Sequence, residues 1–125
     1  SSSPTHQQGA LAEEHAVRFL QAQGYIVVAQ NFHGAVGEID IIAQKNNLLV
    51  FVEVRQRKAK SMVSAQESIT AAKRRKIIKT AQGFLQQHSE YDDYDCRFDV
   101  MAYIGAPTLD TDQPEWIQAA FDAES

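Results

Sequence analysis

Two short charged motifs have the residue types and the spacing for metal-assisted chemistry. The first contains Glu38 and Asp40; the second contains Glu53 and Arg55 and follows the apolar run 48–52. In a β-strand, side chains at positions i and i+2 point to the same face, so each motif presents two charges together. Charged groups seldom lie in an apolar sheet unless they are paired or hold a metal ion. If the two strands are neighbours, these acids and this cation meet, which is the combination that Mg²⁺-assisted cleavage of a phosphodiester requires.

Asp40 and Glu53 are the predicted metal ligands, because adjacent strands can hold both carboxylates within one coordination sphere. Mg²⁺ or Mn²⁺ would be bound here, since Mg²⁺ takes oxygen ligands and keeps several waters, so that a few carboxylates and a phosphate oxygen suffice. Glu38 is interpreted either as an assisting acid or as a structural acceptor for the turn before it. The alternative for the whole set is a ring of acids that form ordinary ion pairs with Arg55 and Arg57.

Glu13 is a further candidate catalytic residue. Ala16, Val17 and Leu20 follow it at helical spacing, so Glu13 lies on or beside the apolar face of a predicted helix. From that position its carboxylate either reaches the acids of the sheet or extends to water.

The basic residues are concentrated in one segment. Nine of the twelve lysines and arginines lie between Arg55 and Lys79, a window with a single acid, although the whole chain has a net charge of −4. Such a segment on an acidic protein is a candidate surface for a polyanion, and its position directly after the carboxylate motif favours nucleic acid over a solvated helix face. The predicted nucleic-acid contacts are Arg57, Lys58, Lys60, Lys73, Arg74, Arg75, Lys76 and Lys79.

Length and composition are those of one globular domain. The 125 residues suffice for a hydrophobic core, no apolar run approaches the roughly 20 residues that span a membrane, and the polar start lacks the apolar region of a signal peptide. Cys96 is the only cysteine, so no intramolecular disulfide forms, and a cytoplasmic location is expected. We expect residues 1–8 to be a flexible N-terminus, 9–121 a single nuclease-like domain and 122–125 a tail.

The hydrophobic pattern predicts an α/β fold in the order α-β-β-β-α-β with a short C-terminal element. Helical spacing extends over 8–23, strand patterns cover 25–29, 38–44 and 48–57, and a second helical pattern begins at 64 or 65 and ends at 88. A turn is predicted over 31–37, a strand over 97–104, and a last strand or helix over 116–121. Asparagines at 46 and 47 predict an antiparallel hairpin, and the helix between the third and fourth strands predicts a crossover, so the sheet is expected to be mixed.

Several sequence blocks are specific when taken together. They are Gly9 with Glu13, Ala16 and Leu20; Gly24-Tyr25; Asn31; Gly37 to Ile42; Val50 to Arg55; Lys73; Arg97 to Val100; and Ala120-Phe121. At these blocks, which extend over about residues 9–121, the chain resembles the small bacterial YraN family. That family is related to Holliday-junction resolvases and to the PD-(D/E)xK restriction-endonuclease-like superfamily.

The resemblance implies a restriction-endonuclease-like sheet flanked by helices and metal-dependent hydrolysis of DNA phosphodiester bonds, with branched DNA as the expected substrate. Asp40 takes the place of the superfamily's metal-binding aspartate, Glu53 that of the acid in its E-x-K element, and Glu13 that of the helix-one glutamate of junction resolvases. Gln66 and Lys73 lie on the helix after the motif, where some relatives carry assisting polar residues. Junction resolvases act as dimers, so a homodimer is implied as well.

Arg55 departs from the family pattern, because a lysine usually occupies this position. Arginine is effectively always protonated in proteins, which excludes Arg55 as a general base, although it can hold a phosphate or stabilise transition-state charge. Two alternatives to an endonuclease or resolvase-like enzyme therefore stay open. One is a catalytically weakened nuclease fold that binds DNA, and the other is a protein-interaction module whose basic helix meets an acidic partner.

Overall fold

The computed structural model describes residues 4–57, 69–104 and 114–123, with side chains from residue 11 onward except that of Arg57. The order of helices and strands agrees with the prediction, and the short C-terminal element is a strand. The elements are α1 (Pro4–Ala22), β1 (Ile26–His33), β2 (Glu38–Lys45), β3 (Leu48–Arg57), α2 (Ala71–Gln87), a 3₁₀ turn (Ser89–Tyr91), β4 (Asp95–Ile104) and β5 (Glu115–Phe121).

The five strands form one mixed sheet in the order β1-β2-β3-β4-β5. β3 and β4 are parallel, because the chain returns to the same end of the sheet through α2, as a parallel pair requires. The other three neighbouring pairs are antiparallel, and Asn46 takes the left-handed conformation (φ 55°) at the predicted hairpin. A mixed sheet flanked by two helices confirms the predicted α/β class and is consistent with a restriction-endonuclease-like fold.

Two hydrophobic clusters hold the helices to the sheet, one on each face. Ala12, Ala16 and Leu20 of α1 pack against one face, in a cluster with Ile41 and Val52. The helical spacing of these three residues is therefore the reason that α1 docks there. The cluster on the other face contains, among others, Ile39, Ile42, Phe51, Ile77, Ile78, Ala81, Phe84 and Phe98.

Helix α2 begins later than the sequence pattern predicts. The predicted start at 64 or 65 lies outside the described residues, and helix at 69–70 is wrong, because Thr70 is the N-cap with extended backbone. The Thr70 hydroxyl accepts a hydrogen bond from the backbone N–H of Lys73 at 3.2 Å. A threonine cap of this kind satisfies an N–H that has no partner within the helix.

Strand β1 is longer than predicted and continues into the predicted 31–37 turn. Phe32 pairs with Ile39 and His33 pairs with Glu38, so the turn prediction is wrong over 31–33. The strand tolerates Asn31 in the left-handed conformation (φ 50°), which asparagine adopts more readily than most residues. At the other end of the chain, α1 begins at Pro4, before the predicted start at residue 8. Among the described residues, no helix has both the length and the apolar character to cross a membrane.

Candidate active site

The two predicted metal ligands lie at the same end of neighbouring strands. β2 and β3 are antiparallel, and Ile41 opposite Val52 is the last paired position, so Asp40 and Glu53 are the next residues beyond it at this end of the two strands. Glu53 is buried at 7% exposure, and Asp40 is partly buried. Oδ2 of Asp40 accepts a hydrogen bond from the backbone N–H of Val54 at 2.8 Å, which fixes this carboxylate beside β3.

The regular alternation of side chains breaks at Asp40. Ile39 belongs to the cluster that contains α2, whereas Ile41 belongs to the cluster that contains α1. In a regular strand both would point to one face, so β2 is irregular between them. Asp40 therefore lies at the point where β2 changes the face to which its side chains point. There it interacts with Glu13 of α1 and with the charge of Lys73 of α2.

Glu13 of α1 reaches Asp40, as one of the two sequence interpretations expected. The two carboxyl groups share a hydrogen bond, and the side chain of Asn31 donates another to Glu13. Burial raises the pKa of Glu13 and the charge of Asp40 raises it further, whereas the bond from Asn31 lowers it. Burial also raises the pKa of Asp40, with the hydrogen bond from Val54 acting in the opposite direction. A hydrogen bond between two carboxyl groups requires one proton, so this pair can hold a proton at the site.

Glu53 forms an ion pair with Lys73 of α2. The distance between Nζ of Lys73 and Oε1 of Glu53 is 3.0 Å, and the side chains are 43% and 8% exposed respectively. Burial raises the pKa of Glu53 to about 7, with a further increase from the charge of Asp40; Lys73 lowers it, and Arg55 lowers it least among the named influences. Glu53 is thus a buried carboxyl group with an acid on one side and an ammonium on the other.

A cavity of about 340 Å³ opens next to this ion pair. Its lining includes Gly37, Glu38, Thr70 and Lys76 besides Glu53 and Lys73. Gly37 brings the backbone close to α2, because a Cβ atom at this position would lie 3.4 Å from Cβ of Lys76. The lining of the cavity therefore contains both carboxylates and lysines.

Glu38 contacts the segment before it and also lines the cavity. Its Oε2 lies 3.5 Å from Nδ1 of His33, at the end of β1, and both side chains are more than half exposed. Glu38 also lines the cavity, and its charge raises the pKa of Glu13 and of Asp40. It is therefore a peripheral acid of the site, held by the segment before it.

The donor set of the acids fits a hard divalent cation. Two carboxylates are held close enough for the charge of Asp40 to raise the pKa of Glu53, and a cation between them would offset this repulsion. Over the described ranges, no group of three or more His, Cys, Asp or Glu residues could hold a metal ion. Asp40 and Glu53 would be the protein ligands of such a cation, with water and phosphate oxygens completing the shell, as Mg²⁺ allows.

The predicted basic surface is divided among different positions. Lys73 and Lys76 line the cavity, and Arg75 and Lys79 are exposed on α2. Arg74 instead donates a hydrogen bond from Nε to the carbonyl of Ile69 at 3.1 Å, and its guanidinium lies 6.0 Å from the ring centre of Phe121. Arg57 ends β3 and Arg55 is a partly buried residue of that strand, whereas Lys58, Lys60 and Gln66 lie outside the described residues.

The sequence did not single out Asn31 or Thr70 as site residues. Asn31 orients Glu13, and Thr70 fixes the backbone of Lys73. An asparagine shortly before the acidic motif was a signal for the first. The role of Thr70 depends on where α2 begins, and the helical pattern did not locate that start.

Asp99 is buried and hydrogen-bonded, and it supports the fold on the α1 face. Its carboxylate accepts two bonds from Arg97 at 2.8 Å, one from Nε1 of Trp116 at 2.9 Å and one from the backbone N–H of Ala119 at 3.0 Å. Arg97 also donates to the hydroxyl of Tyr25 at 3.1 Å. This network ties β5 and the start of β1 to β4.

Comparison with known proteins identifies the family. The model of a family described as "Uncharacterised protein family UPF0102" matches residues 12–103. A UPF0102 protein of Psychrobacter arcticus is 43% identical over 148 residues, which cover 99% of this chain and 85% of that protein. A UPF0102 protein of Acinetobacter baylyi is 41% identical over 126 residues, which cover 93% of this chain and 90% of that protein. The predicted family is confirmed, and the chain belongs to the UPF0102 (YraN) family.

Proposed function

We propose that this protein is a Mg²⁺- or Mn²⁺-dependent endonuclease that hydrolyses phosphodiester bonds in DNA, with branched DNA as the expected substrate. The observation that supports it best is the buried Glu53 on a cavity, with the ammonium of Lys73 at 3.0 Å and Asp40 close enough for its charge to raise the pKa of Glu53. Buried acids beside a cation on an open cavity are more typical of an active site than of a structural ion pair.

Each residue of the site has a proposed role in the reaction. A divalent cation bound between Asp40 and Glu53 would polarise the scissile phosphate and lower the pKa of an attacking water. Asp40, held by Val54, keeps a fixed orientation toward that position. Glu13 is hydrogen-bonded to Asp40 and to Asn31, so it would hold or release a proton beside Asp40 during the reaction. The lysines of the cavity wall offset charge on the phosphate.

Asp40→Asn is expected to reduce metal-dependent cleavage by about 100-fold or more, because a neutral amide is a poorer ligand for a hard cation. We would measure cleavage of labelled single-stranded, duplex, flap and four-way-junction DNA with Mg²⁺, with Mn²⁺ and with a chelator. Asp92→Asn is the matched control, since Asp92 is an exposed acid beyond the 3₁₀ turn. Equal cleavage by the wild type and Asp40→Asn would contradict the assignment of Asp40.

DNA binding is expected to weaken steeply as salt concentration rises, because lysines on and beside the cavity contact phosphates. Replacing both Lys76 and Lys79 by glutamine should reduce the slope of log affinity against log salt by about 0.9 for each phosphate that is no longer neutralised. Fluorescence anisotropy with junction and duplex DNA measures this slope. Lys45→Gln is the control, because Lys45 ends β2 and bonds the carbonyl of Gln23. A double variant with the wild-type slope would contradict DNA contact at these lysines.

Arginine at position 55, where the superfamily usually has lysine, favours one alternative. In that alternative the protein is a nuclease fold that binds DNA without cutting it. In that case DNA would stay intact with every metal, while wild type and Asp40→Asn would bind it equally well. Loss of DNA binding altogether would instead favour the protein-interaction module. A homodimer stays a prediction from the family resemblance.

A further inference from the structure

The ammonium that lies 3.0 Å from the carboxylate of Glu53 comes from the helix after the motif. Lys73 is the third residue of α2, and the Thr70 cap bonds its backbone N–H at 3.2 Å. The backbone of Lys73 is therefore fixed beside the sheet, while its side chain extends to Glu53 at 3.0 Å. The same lysine lines the cavity, so a small rotation of its side chain can redirect the ammonium from Glu53 into the cavity.

Charge balance indicates when such a rotation would occur. Glu53 is almost completely buried, and a buried carboxylate is costly unless a cation accompanies it. In the structure Lys73 supplies such a cation. A divalent ion between Asp40 and Glu53 would take over this role, and the ammonium would then be free to pair with an anion in the cavity.

Lysine suits this exchange better than arginine does. Its ammonium is a compact charge on a flexible four-carbon stem with three rotatable donors, whereas the guanidinium of arginine is a planar group suited to fixed, bidentate contacts. Lys73 keeps 43% of its side chain exposed, so its ammonium can turn from a buried partner to one in water.

We infer that Lys73, and not Arg55, is the catalytic cation that acts with Glu53, an assignment that rests on the proposed nuclease function. Its ammonium holds the carboxylate in the metal-free protein and turns to a phosphate oxygen in the cavity once the acids bind the metal ion. The position at which the superfamily usually carries lysine would then be filled from α2.

Metal binding tests the exchange without any substrate. Isothermal titration of Mn²⁺ into the full chain at pH 8.5 would compare wild type with Lys73→Met, Lys73→Arg and Lys76→Met. Removing the competing ammonium should tighten Mn²⁺ binding about tenfold in Lys73→Met, as expected for the loss of one charge-assisted contact. Lys76→Met is the matched control, because it removes the same charge from the same cavity. Its effect should be less than about threefold, and Lys73→Arg should resemble wild type.

DNA cleavage with saturating Mn²⁺ tests whether Lys73 is the catalytic cation. Lys73→Met should reduce the rate about 100-fold, as loss of one preorganised donor to a developing charge commonly does. Lys73→Arg should recover part of this loss, and Arg55→Met should cost less than Lys73→Met. Circular dichroism of every variant establishes that it is folded.

The outcomes separate this inference from the proposed function. If Lys73→Met and Lys76→Met change Mn²⁺ affinity equally, or if Arg55→Met is the more damaging variant in cleavage, Lys73 is not the cation that acts with Glu53. If Lys73→Met alone tightens Mn²⁺ binding but no protein cuts DNA, the exchange at Glu53 is supported and the nuclease function is rejected.

Discussion

Replacing Glu53 by glutamine is expected to stabilise the metal-free protein at pH 8 while it reduces DNA cleavage by about 100-fold or more. Burial raises the pKa of Glu53 to about 7, well above the 4.5 of an ordinary glutamate. The folded protein therefore favours the protonated carboxyl. Its contribution to stability is fully present below about pH 4.5 and is lost as the pH rises through about 7. At 1.36 kcal/mol for each pKa unit, the difference between these limits is about 3 kcal/mol.

Urea unfolding at pH 5 and pH 8, in the presence of a chelator, measures this effect. Wild type should lose more stability between the two pH values than Glu53→Gln, whose amide does not ionise. Other acids titrate in both proteins, so the difference between the two slopes isolates Glu53. Glu90→Gln is the control, because Glu90 is an exposed acid in the 3₁₀ turn. Equal slopes for wild type and Glu53→Gln would show that Glu53 does not have the raised pKa.

The same variant separates metal binding from folding. Mn²⁺ should stabilise the wild type at pH 8, because a ligand that binds only the folded state adds to its stability by mass action. Mn²⁺ should stabilise Glu53→Gln much less than it stabilises the wild type. Glu53→Gln would then be more stable than wild type without metal, less stabilised by metal and unable to cleave DNA. Together these three results would identify Glu53 as a residue kept for function at the expense of stability.

Asp99→Ala is expected to lower the free energy of unfolding by about 3–5 kcal/mol, the usual cost of removing one partner of a buried ion pair. Asp99 is completely buried and accepts four hydrogen bonds, two of them from Arg97. Its loss leaves the guanidinium of Arg97 without its acid and the N–H groups of Trp116 and Ala119 without an acceptor. Docking of β5 against β4 should weaken most.

Thermal and urea unfolding measure this loss, with Asp93→Ala as the control. Asp93 is an exposed acid two residues before β4, so its removal should change stability by less than about 0.5 kcal/mol. Asp99→Asn should be intermediate, because it keeps the shape and one acceptor oxygen. If Asp99→Ala unfolds within about 1 kcal/mol of wild type, the network does not stabilise the fold as its geometry indicates.

The sheet and the acid pair were predictable because they depend on local patterns. The apolar run of β3, the asparagine turn before it and the acids at matching distances from that turn place Asp40 and Glu53 at the same end of neighbouring strands. A long helix between β3 and β4 then requires a parallel pair. These features follow from the spacing of residues close together in the chain.

The partners of the acids were harder to predict because they depend on how distant segments pack. Lys73 meets Glu53 only because α2 begins at Ala71, and the helical pattern had placed this start several residues earlier. Asn31 reaches Glu13 because β1 continues into the predicted turn with a left-handed residue. Side-chain periodicity specifies faces of helices and strands but not where an element ends or how far a side chain extends.

The irregularity of β2 at Asp40, which brings residues of both helices together, has a consequence for the folding of the newly synthesised chain. Glu13 comes from a helix on one face of the sheet and Lys73 from a helix on the other, and the two helices lie on opposite sides of β1–β3 in chain order. During synthesis, Asp40 and Glu53 therefore leave the ribosome before Lys73, the cation that pairs with Glu53. The proposed site is therefore complete only when both helices have packed on the sheet.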